Sequence, residues 1–470
     1  MQSVRLQGEW FTTTVVGLLS FVPRLYASLS WAREPVWDGH YYDFGARRIA
    51  EGFGYADTIL VDGVEVWHPW CHYPVGYSGF LAGLYALFGS GQHVAPLANA
   101  VLGVLVVMLT HRIALHWLSS RRAVVASFLC AINLELIFYS PLVMTELLAT
   151  LGPLGALWVA LIYHKSHRWR ALVLAGIALG LSTLVHPQSI VLAPVVGLIF
   201  GFGNRLWSAK RIGTTLVITA VSLAVVGPWT YRNCRVMDAC AFVSTNGGWN
   251  LAIGSFPRAT GRFETLRASD GCEEVTGQVH QDRCWAELGI SMIRRDPGRW
   301  LGLIPKKLGY CFDHASFPVE YLHQADPGAW PENVRVWWRH TLTGMHRVLL
   351  SVATFAFVAA GVRNRRLFLV EAVLRAALAA VVAYAWSARM PTFWPLAIAI
   401  VFTALIPRPS SPRLGRVGLM IVASLVIFIV THIVFFGEDR YHVPLLPMIC
   451  MLAAGAFRSP ARDNWCYGRR

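Results

Sequence analysis

The sequence predicts an all-α polytopic membrane protein with about twelve transmembrane helices, interfacial helices and an external region. Three observations carry this. Only 14% of the 470 residues are charged and 55% are hydrophobic, well below the charged share of a soluble globular chain. Apolar runs approach twenty residues and lack the alternation of a barrel strand, so helices are the expected spanning elements. The Lys and Arg behind a net charge of +15 sit in short clusters between those runs, where orientation signals belong; they do not form a nucleic-acid patch. No removable signal peptide is expected, because residues 1–10 are short and 11–31 lacks a clear small-residue cleavage site.

The apolar runs fall at 11–31, 74–89, 94–117, 123–140, 143–163, 171–186, 188–203, 212–229, 346–361, 367–386, 392–406, 417–436 and 442–457. The segment 74–89 decides the topology. If it spans, the basic clusters fall on inconsistent sides. If it lies at the interface, 121–122, 165–170, 205–211, 363–366, 408–416 and 458–470 all share the cytoplasmic side with Arg5. The opposite short loops, around Pro141, Pro187, Arg389 and Arg440, carry few basic residues. That is the positive-inside pattern. The segment is also only sixteen residues, begins at Tyr73-Pro74 and contains three internal glycines, which suits an interfacial or re-entrant helix.

Two long external regions follow, 32–93 and about 230–345, and the chain divides into 1–230, 231–345 and 346–470. Of nine cysteines, Cys234, Cys240, Cys272, Cys284 and Cys311 lie in the second external region. An oxidising compartment there permits Cys234–Cys240 and Cys272–Cys284 bridges, a pairing suggested by proximity alone. No His/Cys cluster has zinc-site spacing.

The most informative stretch is Trp37-Asp38-Gly39-His40-Tyr41-Tyr42-Asp43-Phe44-Gly45-Ala46. Read as a helix from Gly39, it puts Tyr42, Gly45, Ala46 and Ile49 on one face and His40, Asp43, Arg47 and Glu51 on the other. Asp38 is then the N-cap and Gly52 the stop. Asp38 is either that cap alone or a base held at the membrane surface, where it meets a lipid-borne substrate.

These residues carry a resemblance. Trp-Asp-x-x-Tyr-Tyr-x-x-Gly-Ala resembles the first loop of the GT-C glycosyltransferases, closest to the bacterial family-39 type related to protein O-mannosyltransferases and aminoarabinose transferases. Further matches keep the family's order: Tyr73-Pro74-Val75-Gly76-Tyr77, Asn99, Thr145-Glu146, Pro228-Trp229-x-x-Arg232-Asn233, Ser244-Thr245-Asn246-Gly247-Gly248, and Asp439-Arg440-Tyr441-x-x-Pro444-x-x-Pro447. The chain departs from the pattern at Gly39, where the family usually has Glu, at His186-Pro187, where it often has Arg-Pro, and at Val75, where a second Pro is missing.

The resemblance implies an inverting transfer of a sugar from a polyprenyl-phosphate donor to an acceptor on the external face of a bacterial inner membrane. Asp38 is the expected base. Arg232 and Arg440, with Tyr441 and His186, are the expected donor-phosphate contacts; Arg440 alternatively pairs with Glu438 or Asp439. Glu146, near hydrocarbon, is a second catalytic candidate or a snorkelling surface residue. His40, Tyr42, Asp43, His72 and Asn246 are substrate-contact candidates, or ordinary helix-face and turn residues. Ser244 to Gly248 is either an anion cradle or a simple turn. A divalent cation is the one cofactor the resemblance admits, with its ligands unassigned. Glu135 is a buried polar contact or a misplaced boundary. The partners expected are the lipid-linked sugar, an acceptor and membrane lipid. A transporter or flippase, and a non-catalytic relative, are the competing readings; the absence of repeated halves and the acids gathered at one face favour the enzyme.

Overall fold

The computed structural model describes residues 2–202, 207–272, 274–358, 368–387, 392–405 and 414–456. Within these the chain is mostly helical. The first helix, α1 (Gln2–Ser30), leads by a short loop into α2 (Asp38–Ala50). A hairpin of β1 (Ala56–Val61) and β2 (Val64–Pro69) follows, then α3 (Val75–Phe88). The hairpin corrects the all-α expectation. Its strands pair antiparallel from Ala56 with Pro69 to Val61 with Val64, and Asp62 and Gly63 turn it with φ of 51° and 80°. Asp-Gly with both residues at positive φ is the preferred two-residue hairpin turn.

The next helices are α4 (Val94–Ala114), α5 (Ser120–Ala131), α6 (Leu134–Phe138), α7 (Glu146–Ser166), α8 (Trp169–Val185), α9 (Leu192–Phe200) and α10 (Ala209–Val236). Short external helices follow: α11 (Gly247–Ile253), α12 (Gln278–Arg295), α13 (Pro297–Gly302), α14 (Ile304–Phe312) and α15 (Phe317–Ala325). The chain returns through α16 (Glu332–Val358), α17 (Phe368–Ser387), α18 (Trp394–Leu405), α19 (Gly415–Val434) and α20 (Leu446–Ala453).

Four helices, α4, α7, α10 and α19, are by themselves long and apolar enough to cross a membrane, at 20 to 28 residues. At 1.5 Å per residue that is about 30 Å or more, the thickness of the hydrocarbon. Other runs are interrupted. The run 123–140 breaks between α5 and α6, and 442–457 resolves into a 3-10 turn, Asp439–Leu445, and the eight-residue α20. The basic residues expected at 205, 363–366, 389, 408 and 458–470 lie outside the described residues. Outward faces stay apolar: on α1, Phe11, Leu18, Leu19, Val22 and Tyr26 are all exposed, which suits lipid contact.

Two polar side chains meet the backbone at the α5–α6 break. Arg24, fully buried in α1, donates to the carbonyls of Ala131 (3.0 Å) and Cys130 (3.3 Å), the last ones of α5. Asn133 caps α6, its side chain accepting from the Leu136 N–H at 3.0 Å. The break in this span is therefore satisfied from both sides, as irregular backbone at membrane depth requires.

At 14 residues, about 21 Å, α3 is too short to span. It packs instead on α2 through Tyr42, Ala46, Tyr77, Leu81, Ala82 and Tyr85. Gly76 lets α3 touch the end of α8, since a Cβ there would lie 2.5 Å from the Leu184 carbonyl carbon. The external region is not a separate body. Leu308, Phe312, Val319 and Leu322 of α14 and α15 belong to the main core, while α11 and α12 form a small cluster around Trp285. The bridges Cys234–Cys240 and Cys272–Cys284 are both formed, and Cys311 is free and buried.

Candidate functional site

Asp38 is the first residue of α2, after Trp37 at φ 50°, and its side chain makes no cap. The cap reading is thus corrected. Its carboxylate turns inward instead, accepting from the Tyr73 hydroxyl at 3.0 Å and from Arg440 Nη1 at 2.6 Å. Gly39 explains the departure from the family pattern. A Cβ there would run into the Tyr321 hydroxyl and lie 2.8 Å from the Val143 carbonyl, so α2 approaches α15 too closely for a side chain. Gly52, at φ 87°, ends the helix as expected.

Arg440 rises from the 3-10 turn Asp439–Leu445. Its Nε lies 2.7 Å from Glu438, an ion pair whose alignment is not that of a hydrogen bond. The guanidinium sits 4.8 Å over the Phe317 ring and 5.1 Å over Tyr441. Burial opposes its charge, but Glu438, Tyr441 and Asp38 together hold its pKa well above the ordinary value. Burial pushes the Glu438 carboxyl up, with Arg440 pulling against it. Burial and then Asp38 raise the Tyr73 phenol, which keeps it a donor. Pairing of Arg440 with Glu438 and pairing with Asp38 therefore coexist. Asp439 points elsewhere, accepting from the Ser316 N–H and hydroxyl and from the Phe317 N–H.

Glu146 is the first residue of α7 and is 3% exposed, which excludes the snorkelling reading. One of its oxygens has no hydrogen-bond partner, and it lies within electrostatic reach of both Arg440 and Asp38. Tyr42, also buried, faces the same charges. His186 sits at the end of α8, its Nε2 3.1 Å from the Thr145 hydroxyl. Behind it runs a cavity of about 80 Å³ between α7, α9 and α19, lined mainly by Leu192, Ile427, Phe428 and Met448, with His186 and Tyr441 among its walls. Tyr441 stacks on His432 at 4.7 Å. His72 is also near, its ring edge-on to Tyr73 at 5.0 Å; burial lowers its pKa and Asp38 partly restores it.

The remaining candidates lie elsewhere. Arg232 donates to the Trp70 carbonyl at 2.7 Å and the Tyr55 carbonyl at 2.8 Å, bracing the foot of the hairpin. Asp43 is buried, accepting from Tyr85 at 2.5 Å and Arg47 at 2.7 Å, so its expected outward face is corrected: α3 covers it. His40 is exposed beside Phe44. Asn246 accepts from the Ser244 hydroxyl at 2.9 Å. The glycine loop after it does gather N–H groups on an anion, but the anion is Asp282, bonded by Gly248 at 2.7 Å and Trp249 at 3.1 Å. The chain fills its own cradle.

A second buried polar cluster joins Glu135, His346 and His442, which the sequence reading left without a role. No spacing links residues so far apart. Around Asp38, by contrast, the described carboxylates do not form a cation-binding set, because Arg440 supplies the positive charge among them.

Residues 72–231 match the family model for dolichyl-phosphate-mannose-protein mannosyltransferases. The match covers about a third of the chain. The stretch includes Tyr73, Glu146 and His186 and excludes Asp38 and Arg440. Among solved structures, the chain is similar to the oligosaccharyltransferase AglB of Archaeoglobus fulgidus in complex with an inhibitory peptide and a dolichol-phosphate, at 14% identity and TM-score 0.47 over 96% of this chain and 50% of that one. The apo form of that organism's oligosaccharyltransferase gives 13% and 0.48, over 95% and 50%. ArnT of Cupriavidus metallidurans bound to undecaprenyl phosphate gives 15% and 0.33, over 94% and 77%. The chain spans about half the length of the archaeal enzyme's chain. No curated protein matches it by sequence.

Proposed function

We propose that this chain is a multi-pass membrane glycosyltransferase that moves a sugar from a polyprenyl-phosphate donor to an acceptor on the external face, with inversion at the anomeric carbon. The observation that carries the reading is Asp38, bonded at once to Tyr73 and to Arg440, whose chain neighbour Tyr441 lines a cavity with largely apolar walls. Asp38 takes the acceptor's proton as the new bond to the anomeric carbon forms; the bond to the phosphate oxygen breaks and the lipid phosphate leaves with the electron pair. Arg440 neutralises that phosphate. Because Arg440 also pairs with Asp38, a bound phosphate that draws the guanidinium away frees the Asp38 carboxylate to meet the acceptor's hydroxyl. Glu146 and Tyr42 orient the acceptor, and His186 and Tyr441 line the donor's path along the cavity. No step is routed through a cation at Asp38.

About twelve spans, the division at 230 and 345, and a bacterial inner membrane with the site facing the periplasm complete the reading. The basic 121–122 and 165–170 loops support that orientation, as do the two bridges in the external region. The test is transfer from labelled polyprenyl-phosphate sugars to a panel of acceptors. Asp38→Asn keeps the shape of the side chain and should lower kcat by about 10²–10⁴ with an unchanged melting profile. Unchanged transfer in that variant would remove Asp38 from the chemistry.

A further inference from the structure

The Glu135, His346 and His442 cluster is brought together by three elements far apart in sequence: α6 after the break in its span, α16, and the 3-10 turn that carries Arg440. His442 is fully buried, and His346 and Glu135 are 3% and 4% exposed. One donor atom from each lies within 4.8 Å of the others.

The hydrogen-bonding of the two rings determines what can sit between them. His442 Nδ1 is 2.6 Å from the Cys311 carbonyl, and His346 Nε2 is 3.1 Å from the Phe312 carbonyl. A carbonyl only accepts, so both of these nitrogens carry hydrogen. In neutral imidazoles the opposite atoms, His442 Nε2 and His346 Nδ1, are then bare lone pairs facing the cluster. Nε2 of His442 stands 3.0 Å from both oxygens of Glu135, which is itself an acceptor when ionised. Lone pair against lone pair at that distance needs a positive charge. A single shared proton would mend this one contact. It would leave His346 Nδ1 and a Glu135 oxygen, both buried, without any hydrogen-bond partner, at a desolvation cost of about 1–3 kcal/mol each. One cation satisfies all three atoms.

We propose that Glu135, His346 and His442 bind a divalent transition-metal ion of the zinc class. Two imidazole nitrogens and one carboxylate oxygen suit zinc better than magnesium or calcium, which prefer all-oxygen sites. The ring N–H groups held by consecutive carbonyls at the end of α14 are the outer-shell arrangement that orients histidine ligands. The ion clamps the turn bearing Arg440 to α6 and α16, and so acts as a positioning element for that guanidinium. The site stands whether or not Asp38 is the base.

The test uses the full chain purified in detergent without a polyhistidine tag. Elemental analysis should find about one zinc-class ion per chain. Chelation should lower the apparent Tm, and zinc but not magnesium should restore it. Cobalt added to the chelated protein should give the visible absorption of a tetrahedral nitrogen- and oxygen-ligated site. His346→Ala should cut the ion content at least about tenfold and abolish the cobalt spectrum. Two results overturn the proposal: metal at background with no thermal response and no cobalt spectrum in the unmodified chain, which leaves the shared proton, or full metal content in His346→Ala. The unmodified chain's cobalt titration decides the matter even if the variant does not fold.

Discussion

At the scale of single residues, two cations near the C-terminal end of α19 meet different fates. Arg440 lies among carboxylates and keeps its charge. Lys307 is fully buried, donates to the carbonyls of Ile433 (3.0 Å) and Val434 (3.4 Å) at the end of α19, and lies 5.1 Å over the Trp300 ring. Burial, with Arg299 adding to it, brings the Lys307 pKa down to about 7. The unfolded chain keeps this proton to about pH 10, so between about pH 7 and 10 it binds more protons than the folded one. Stability from this group therefore rises with pH through that window, by up to about 1.4 kcal/mol per unit. Lys307→Met should flatten that part of the curve, read as apparent Tm against pH beside the unmodified chain. Tyr73 makes a smaller test at the proposed site. Tyr73→Phe removes one hydrogen bond to Asp38 and should lower kcat about tenfold with little change in KM, because it leaves Arg440 and the cavity untouched. Order along the chain set Asp38 and Arg440 in one pattern, and the fold brings the two into contact. Arg232 and Asn246 bond to the chain's own groups, and in sequence a guanidinium or a glycine loop near the external surface looks alike whether it awaits a ligand or already holds such groups.

At the scale of elements, short contacts explain both the successes and the omissions. The 74–89 segment reads as interfacial or re-entrant from its length and its glycines, and Gly76 shows what one of those glycines does. A Cβ there would lie 2.6 Å from the Leu184 oxygen and from the Val185 nitrogen. Gly76→Val should thus cost about 1–3 kcal/mol by overpacking against backbone, whereas Gly79, with nothing within 4 Å, should accept Ala with a change of at most a few tenths of a kcal/mol or a slight gain. Apparent Tm of the two variants separates these outcomes. The hairpin was also written in the sequence, in the alternation of Val64-Glu65-Val66-Trp67 and in Asp62-Gly63, but its strands are largely exposed and offer no buried face to mark them. The burial of Asp43 was not legible, because helical phase gives faces and not which face a later helix will cover. The α5–α6 break was hidden for a similar reason: its carbonyls are satisfied by Arg24 from another helix, a contact with no local trace.

At the scale of the whole molecule, the distribution of charge and the handling of hydrocarbon-facing surface make a claim about sidedness that can be tested directly. Apolar faces on α1 and α10 point outward, and Arg121, Lys165, Arg168 and Arg170 at the α4–α5 and α7–α8 turns are exposed. If α3 lies at the interface, residues near the start of α1 and in the α7–α8 turn share one side of the membrane, and the external helices occupy the other. If α3 spans, the start of α1 changes sides relative to everything after it. Among the described residues the four free cysteines, Cys71, Cys130, Cys311 and Cys450, are all buried, so with Cys466 changed to Ser cysteines added at exposed positions report with little background. Gly8→Cys, Ser166→Cys and Thr265→Cys, each made singly, place such reporters near the start of α1, at the end of α7, and after α11. With an impermeant maleimide on right-side-out vesicles, Thr265→Cys alone should label. Inverted vesicles should label Gly8→Cys and Ser166→Cys together. Labelling of Gly8→Cys on the same side as Thr265→Cys would mean that α3 crosses, and would move Asp38 to the face opposite Arg440, against their 2.6 Å contact.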